Sequence, residues 1–256
     1  MEGFIKLESL LQYVDEYLAV RGHPDYRTAL NGLQVAGPET VGTIVTSVDA
    51  SAGTIEAAAD LGADLLLVHH GLFWDGLQPV VGRLHRRLSS LIKADMGLYS
   101  CHLPLDGHAE IGNCILLAQA LGLSLEGRLG AYEGADLGWW GRLPEALSIE
   151  AFRERVSDAV GGPVTALPGG PEEVETVGVL TGGGGSFVEE AAELGLDAFV
   201  TGEGAHHTYF DAVEFGIHVL FAGHYATEVF GIRALGEHLA ERFGIESHFV
   251  DQPTGL

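Results

Sequence analysis

Apolar positions along the chain fall into a rhythm that occurs twice. Residues 55–68, IEAAADLGADLLLV, place apolar side chains at helical spacing, pause at Gly62 and then run unbroken. Residues 188–200, VEEAAELGLDAFV, do the same around Gly195. Both predict a helix closing on glycine and then a short buried strand. Upstream of each copy lies a β-branched run, Thr43 to Val48 and Val174 to Thr181, and downstream each has a second helix and strand ending at Gly97–His102 or Gly216–His224. A further helix is predicted to close each copy, over Ile111 to Leu121 in the first and Val229 to Arg242 in the second.

Strands alternating with helices favour right-handed βαβ units, whose parallel sheets collect ligands at the carboxyl ends of their strands. The expected fold is α/β, a three-layer α/β/α arrangement of two pseudo-repeated halves with mostly parallel strands. The first half covers 1–127, and the second covers 174–256 and packs closely with it. Between them, 128–173 is expected as a connecting αβ segment with Gly138-Trp139-Trp140-Gly141, a helix over Ile149 to Val160 and the breaker Gly161-Gly162-Pro163.

The predicted strand ends carry the chemistry. One delivers His69-His70-Gly71 and its counterpart delivers Thr201-Gly202-Glu203-Gly204, with His206 and His207 close behind. The next pair of ends is matched: His102 is followed four residues on by Asp106, and His224 four residues on by Glu228. Adjacent histidines on a regular strand face opposite ways, so His69 and His70 converge only where the strand stops, and Gly71 supplies that turn. His224 and Glu228 can share one face of a starting helix. Imidazole with carboxylate suits Zn, Fe, Mn, Co or Ni, whereas an all-oxygen set would suit Mg or Ca. Three histidines and two carboxylates exceed one tetrahedral ion, and carboxylates bridge, which points to two divalent metal ions and to hydrolytic chemistry.

Other residues carry open alternatives. His102 is expected to orient Asp106 or a water, against an ordinary hydrogen-bonded strand-end histidine. Glu203, His206 and His207 are set for substrate contact or proton transfer, against a solvated loop. Gly182 to Ser186 offers amides to an anion but lacks the lysine of a P-loop, and tight packing is the competing reading. Arg83, His85, Arg86 and Arg87 form a basic cluster that faces an anionic substrate, against the competing reading of a helix surface or subunit contact.

Composition narrows the classes. The 256 residues are 46% hydrophobic with 37 glycines, as in a soluble α/β protein. A formal net charge of −23 leaves no basic face for many phosphates and argues against nucleic acid as a partner. The two cysteines, Cys101 and Cys114, make no CxxC and fit a reduced, cytoplasmic setting. No apolar run reaches the length of a signal segment or a membrane span, so no membrane partner is expected.

The strings His69-His70-Gly71-Leu72-Phe73-Trp74, His102-Leu103-Pro104-Leu105-Asp106 and Gly223-His224-Tyr225-Ala226-Thr227-Glu228 resemble the NIF-three-like family of dinuclear-metal proteins. Asn31-Gly32-Leu33-Gln34 and Gly202-Glu203-Gly204-Ala205-His206-His207 extend the resemblance over nearly the whole chain. It implies His69, His70, Asp106, His224 and Glu228 as the metal ligands. Members are described as GTP cyclohydrolase 1 type 2 homologues, metal-dependent hydrolases that assemble as ring-shaped homohexamers. Longer members carry an inserted central domain for which the connection here has no room. The expectation is a metal-dependent hydrolase acting on a small molecule that the sequence does not identify, with GTP cyclohydrolase-like activity compatible. The competing class is a non-enzymatic, metal-binding, ring-forming interaction protein.

Overall fold

The computed structural model describes residues 3–74 and 76–256, so Met1, Glu2 and Asp75 lie outside the described residues. The chain divides into two compact units, Met1–Leu105 with Gly231–Gln252, and Asp106–Phe230 with Pro253–Leu256. Each is α/β, and each is organised around one copy of the repeat.

In the first unit, the described residues form a five-stranded sheet in the order Glu246–Phe249, Thr43–Asp49, Leu65–His70, Gly97–Ser100, Gly32–Val35. The first four strands pair in parallel and Gly32–Val35 closes the edge antiparallel. Helices Ala52–Asp60 and Gly82–Lys93 provide the crossovers. Leu65 to His69 are buried without alternation, as expected of a parallel strand covered on both faces. Val45, Ile55, Leu66, Val68, Leu91 and Leu98 share one core, and each such side chain contributes about 1.5–3 kcal/mol by leaving water.

The second unit repeats the scheme. Strands Glu173–Val179, Ala198–Thr201 and His218–Phe221 run parallel, with helices Val188–Glu193 and Thr208–Phe215 between them. The segment between the repeats extends this sheet: the hairpin Ser124–Tyr132 and Ala135–Ser148 adds to one edge and Thr165–Leu167 to the other, all antiparallel. Gly138 to Gly141 therefore lies within a strand, and helix Ile149–Val160 runs as predicted. Both copies also carry a structural carboxylate at the same place. Asp64 Oδ2 accepts from the amides of Gly42 and Thr43, and Asp197 Oδ2 from those of Glu175 and Thr176, each tying the start of one strand to the preceding one.

Two helix boundaries differ from the pattern. The helix expected over Ile111 to Leu121 runs Asn113–Ala120. The one expected from Val229 starts at His224 and continues to Phe243. Gly223, at φ +90, turns the chain out of the strand directly into it. Among the described residues, no helix is long and apolar enough to cross a membrane.

Candidate metal centre

Three imidazoles meet in the first unit. Leu65–His70 ends between Thr43–Asp49 and Gly97–Ser100, with Asp49 paired to His70 and Val68 to Ser100. Each ring is held through Nδ1: His69 on the Cys101 carbonyl at 2.9 Å, His70 on Asp49 Oδ1 at 2.9 Å and His102 on Asp25 Oδ1 at 2.8 Å. Carbonyls and carboxylates only accept, so each Nδ1 carries the proton and each Nε2 presents a lone pair. The rings lie 4.7 to 5.5 Å apart between centroids, and one ligand atom from each of the three falls within 4.8 Å of the others.

The residues around them fix this arrangement. Gly71 makes the turn that lets two successive histidines converge, and a Cβ there would overlap the Gln34 amide. Gln34 Oε1 accepts from the Leu72 amide at 2.8 Å, and Trp74 stands edge-on to His102 with centroids 4.8 Å apart. Asp25 also accepts from Asn31 Nδ2 and the Leu103 amide, while Asn31 Oδ1 accepts from the His102 amide. Burial would raise the Asp25 carboxyl, but the hydrogen bond from His102, with those from Asn31 and the Tyr26 amide, outweighs it and holds it below its ordinary 3.8.

The second unit brings together three carboxylates and one imidazole. His224 and Glu228 lie one helical turn apart, with Nε2 3.1 Å from Oε1, while His224 Nδ1 bonds Glu203 Oε1 at 2.8 Å. Burial pushes the His224 ring towards neutrality, yet Glu228 and then Glu203 overcome it and lift its pKa to about 9. Without a metal, then, the ring is an imidazolium donating to both carboxylates. Asp106 is buried and oriented by Asn113 Nδ2 at 2.8 Å and Thr181 Oγ1 at 3.1 Å. A carboxylate oxygen of Asp106 and one of Glu228 lie within 4.8 Å of each other. Gly182, at φ +64, passes so close that a Cβ would overlap Glu228 Oε1, and its amide donates to Thr227 Oγ1. These donors suit a divalent transition metal: imidazoles whose Nδ1 is held by an acceptor in one unit, paired carboxylates beside a displaceable proton in the other.

The remaining expectations sort out locally. His102 stands with His69 and His70, and Glu203 holds His224. His206 is exposed and packs edge-on to Phe210, with centroids 6.0 Å apart. The Gly182–Ser186 run follows its packing reading, because the amides of Gly182, Gly184 and Gly185 already donate to Thr227 Oγ1, Thr201 Oγ1 and the Glu203 carbonyl. Arg83, His85, Arg86 and Arg87 are placed on helix Gly82–Lys93, with Arg83, His85 and Arg86 exposed and Arg87 exposed less. Sequence reasoning passed over Asp25, Asp49, Asn113 and Thr181. Asp49 and Thr181 carried a signal, each at the end of the first strand run of a repeat, where ligands gather.

The Duf34/NIF3 (NGG1p interacting factor 3) family model matches residues 5–254. A Deinococcus radiodurans protein named GTP cyclohydrolase 1 type 2 homolog is 42% identical over 254 residues, 99% of this chain and 96% of its own length. The solved structure described as protein ybgI, unknown function, is similar with a TM-score of 0.92 at 41% identity, covering 98% of this chain and 100% of its own. TTHA1606 from Thermus thermophilus is similar with a TM-score of 0.88 at 38% identity and the same coverage.

Proposed function

The chain belongs to the Duf34/NIF3 family, and from that premise we propose that it is a metal-dependent hydrolase whose two divalent ions are held by His69, His70, Asp106, His224 and Glu228. The observation that carries this reading is the pair of donor sets, each prepared from outside: Nε2 left to ligate by acceptors on Nδ1, Asp106 oriented by Asn113 and Thr181, and Glu228 closely approached by the backbone of Gly182. Mixed nitrogen and oxygen donors favour Zn, Fe, Mn, Co or Ni.

When bound, such a pair supplies a water acidic enough to attack near neutral pH and positive charge for a developing oxyanion. The chain's own residues do the rest. Asp25 keeps His102 in the tautomer that can take up a proton at Nε2 beside His69 and His70. Glu203 orients His224 from behind, and Thr227 ties the turn at Gly182 to the start of the helix. The names of relatives make guanine-ring opening the first reaction to assay. Protein reconstituted with each metal is incubated with GTP and then with a panel of cyclic and linear amides and amidines. Metal-dependent product supports the reading, and no turnover with any metal removes it.

A second reading, a metal-binding protein that works by self-association as a homohexamer, is favoured by one surface. Helix Thr208–Phe215 leaves Tyr209, Phe210, Val213 and Phe215 between 45% and 52% exposed, the kind of apolar surface that association covers. Light scattering tests it, and a monomeric mass sinks it.

A further inference from the structure

Beside Glu203, within the second unit, a cleft of about 340 Å³ is lined by Ser186, Glu203, His207, Thr208 and the backbone of Gly183, Gly185 and Gly204. One of its groups is out of balance. Thr208 is 1% exposed, and its Oγ1 is buried with no hydrogen-bond partner. The space before that hydroxyl exists because Gly185 and Gly204 have no side chains; their Cβ atoms would lie 3.4 and 2.9 Å from it. A buried hydroxyl left unmatched costs free energy that a bound partner recovers.

The lining decides what that partner is. Among the described residues lining the cleft there is no lysine or arginine, and a carboxylate stands at its edge. The amides of Gly184 and Gly185, which an oxyanion would need, are already donating to Thr201 and Glu203. The cleft's polar side chains are one carboxylate, two hydroxyls and the His207 ring. Glu203 gives one oxygen to His224 and keeps lone pairs on both, and Ser186 and Thr208 add hydroxyls.

We infer that this cleft is the subsite for the nitrogen-bearing end of the substrate, an amide, amidine or amino-substituted ring that places one N–H on Glu203 and another polar atom on Thr208 Oγ1. The inference rests on the hydrolase reading and sharpens it, since a group seated on Glu203 sits next to a proposed ligand, His224, through one shared carboxylate. The nitrogen end of a C–N bond is then what the centre receives, and phosphate is not what the glycine-rich turn binds.

The test uses the full-length, zinc-loaded protein with threonine methyl groups labelled for NMR, titrated with acetamidinium chloride and separately with inorganic phosphate. Acetamidinium is expected to move the Thr208 methyl signal and phosphate to leave it in place. Glu203→Gln weakens acetamidinium binding on the order of tenfold. Thr208→Val, by removing an unmatched hydroxyl, raises Tm by about 2 to 4 °C without ligand. A Thr208 signal that answers phosphate, ignores acetamidinium, or belongs to a site whose Thr208→Val variant melts lower overturns the inference. Binding without turnover of any amide or amidine would leave the subsite standing and bring down the hydrolase reading. Turnover with the Thr208 signal unmoved would do the reverse.

Discussion

In the first unit the strand ends present imidazoles, each braced by an acceptor on its far nitrogen: His69 on a backbone carbonyl, His70 on Asp49 and His102 on Asp25. In the second, equivalent strand ends surround a single imidazole, His224, with Glu203 and Glu228. The scaffold is duplicated down to Asp64 and Asp197 and to the His-x-x-x-carboxylate spacing of His102/Asp106 and His224/Glu228. The donor chemistry is not. Where the first copy ends its middle strand in His69-His70, the second has Thr201-Gly202 and then Glu203, which hydrogen-bonds His224. The lesson is electrostatic: the first unit offers lone pairs, whereas the second offers negative charge already shared with a proton on His224.

The sharpest way to break that contrast is to remove one donor from each side. His69→Ala and Glu228→Gln are each expected to weaken metal binding on the order of a hundredfold or more, read as metal per chain after dialysis. Parent-like content in both variants would leave neither unit a ligand. Removing the braces should hurt less: Asp49→Asn leaves His70 in place but frees its tautomer, and about a tenfold to hundredfold loss of affinity is expected by competition with a chelator. The charge-rich character of the second unit predicts that Glu203→Gln lowers the His224 pKa from about 9, followed by NMR titration of the metal-free protein. An unchanged midpoint would mean that Glu203 does not share that proton. It also predicts that metal uptake near neutral pH releases a proton from His224, seen as a buffer-dependent heat in calorimetry.

Acid stability gives a smaller and opposite signature in the first unit. The Asp25 carboxyl lies below its ordinary value in the folded chain, so the folded state binds the proton less readily than the unfolded one. Its contribution is present above the unfolded value near 3.8 and is lost as pH falls through the lower folded value. Asp25→Asn should therefore flatten the fall in Tm between neutral pH and pH of about 3. A parent-like acid slope would detach Asp25 from this network. The smallest expected effect is chemical silence at Cys114: burial, and then the negative charge of Asp106, push its thiol to about 12, so the native protein resists alkylation at mildly alkaline pH.

Much of this was legible along the chain. The helix–glycine–strand rhythm located both βαβ cores, and the predicted strand ends drew attention to His69, His70, His102, Asp106, His224 and Glu228, because strand ends follow from periodicity and connection rules that are local. The sequence also left real alternatives at Glu203 and at Gly182 to Ser186, since whether an amide is spare depends on which distant acceptor reaches it. Thr201 lies 17 residues from Gly184 and Thr227 lies 45 residues from Gly182. The start of the last helix moved from Val229 to His224 because a glycine at φ +90 can end a strand and begin a helix without a loop.

By itself, then, the sequence determined the repeat, the α/β class and the residues whose chemistry suits a metal, since each depends on spacing along one stretch of chain. Only the tertiary structure decided which nitrogen of each histidine carries the proton, which carboxylates support and which can ligate, and that Thr208 keeps a hydroxyl in reserve. Those are properties of pairs brought together from far apart in the chain, as Asp25 with His102 and Cys114 with Thr181 show across 77 and 67 residues, and no local pattern records them.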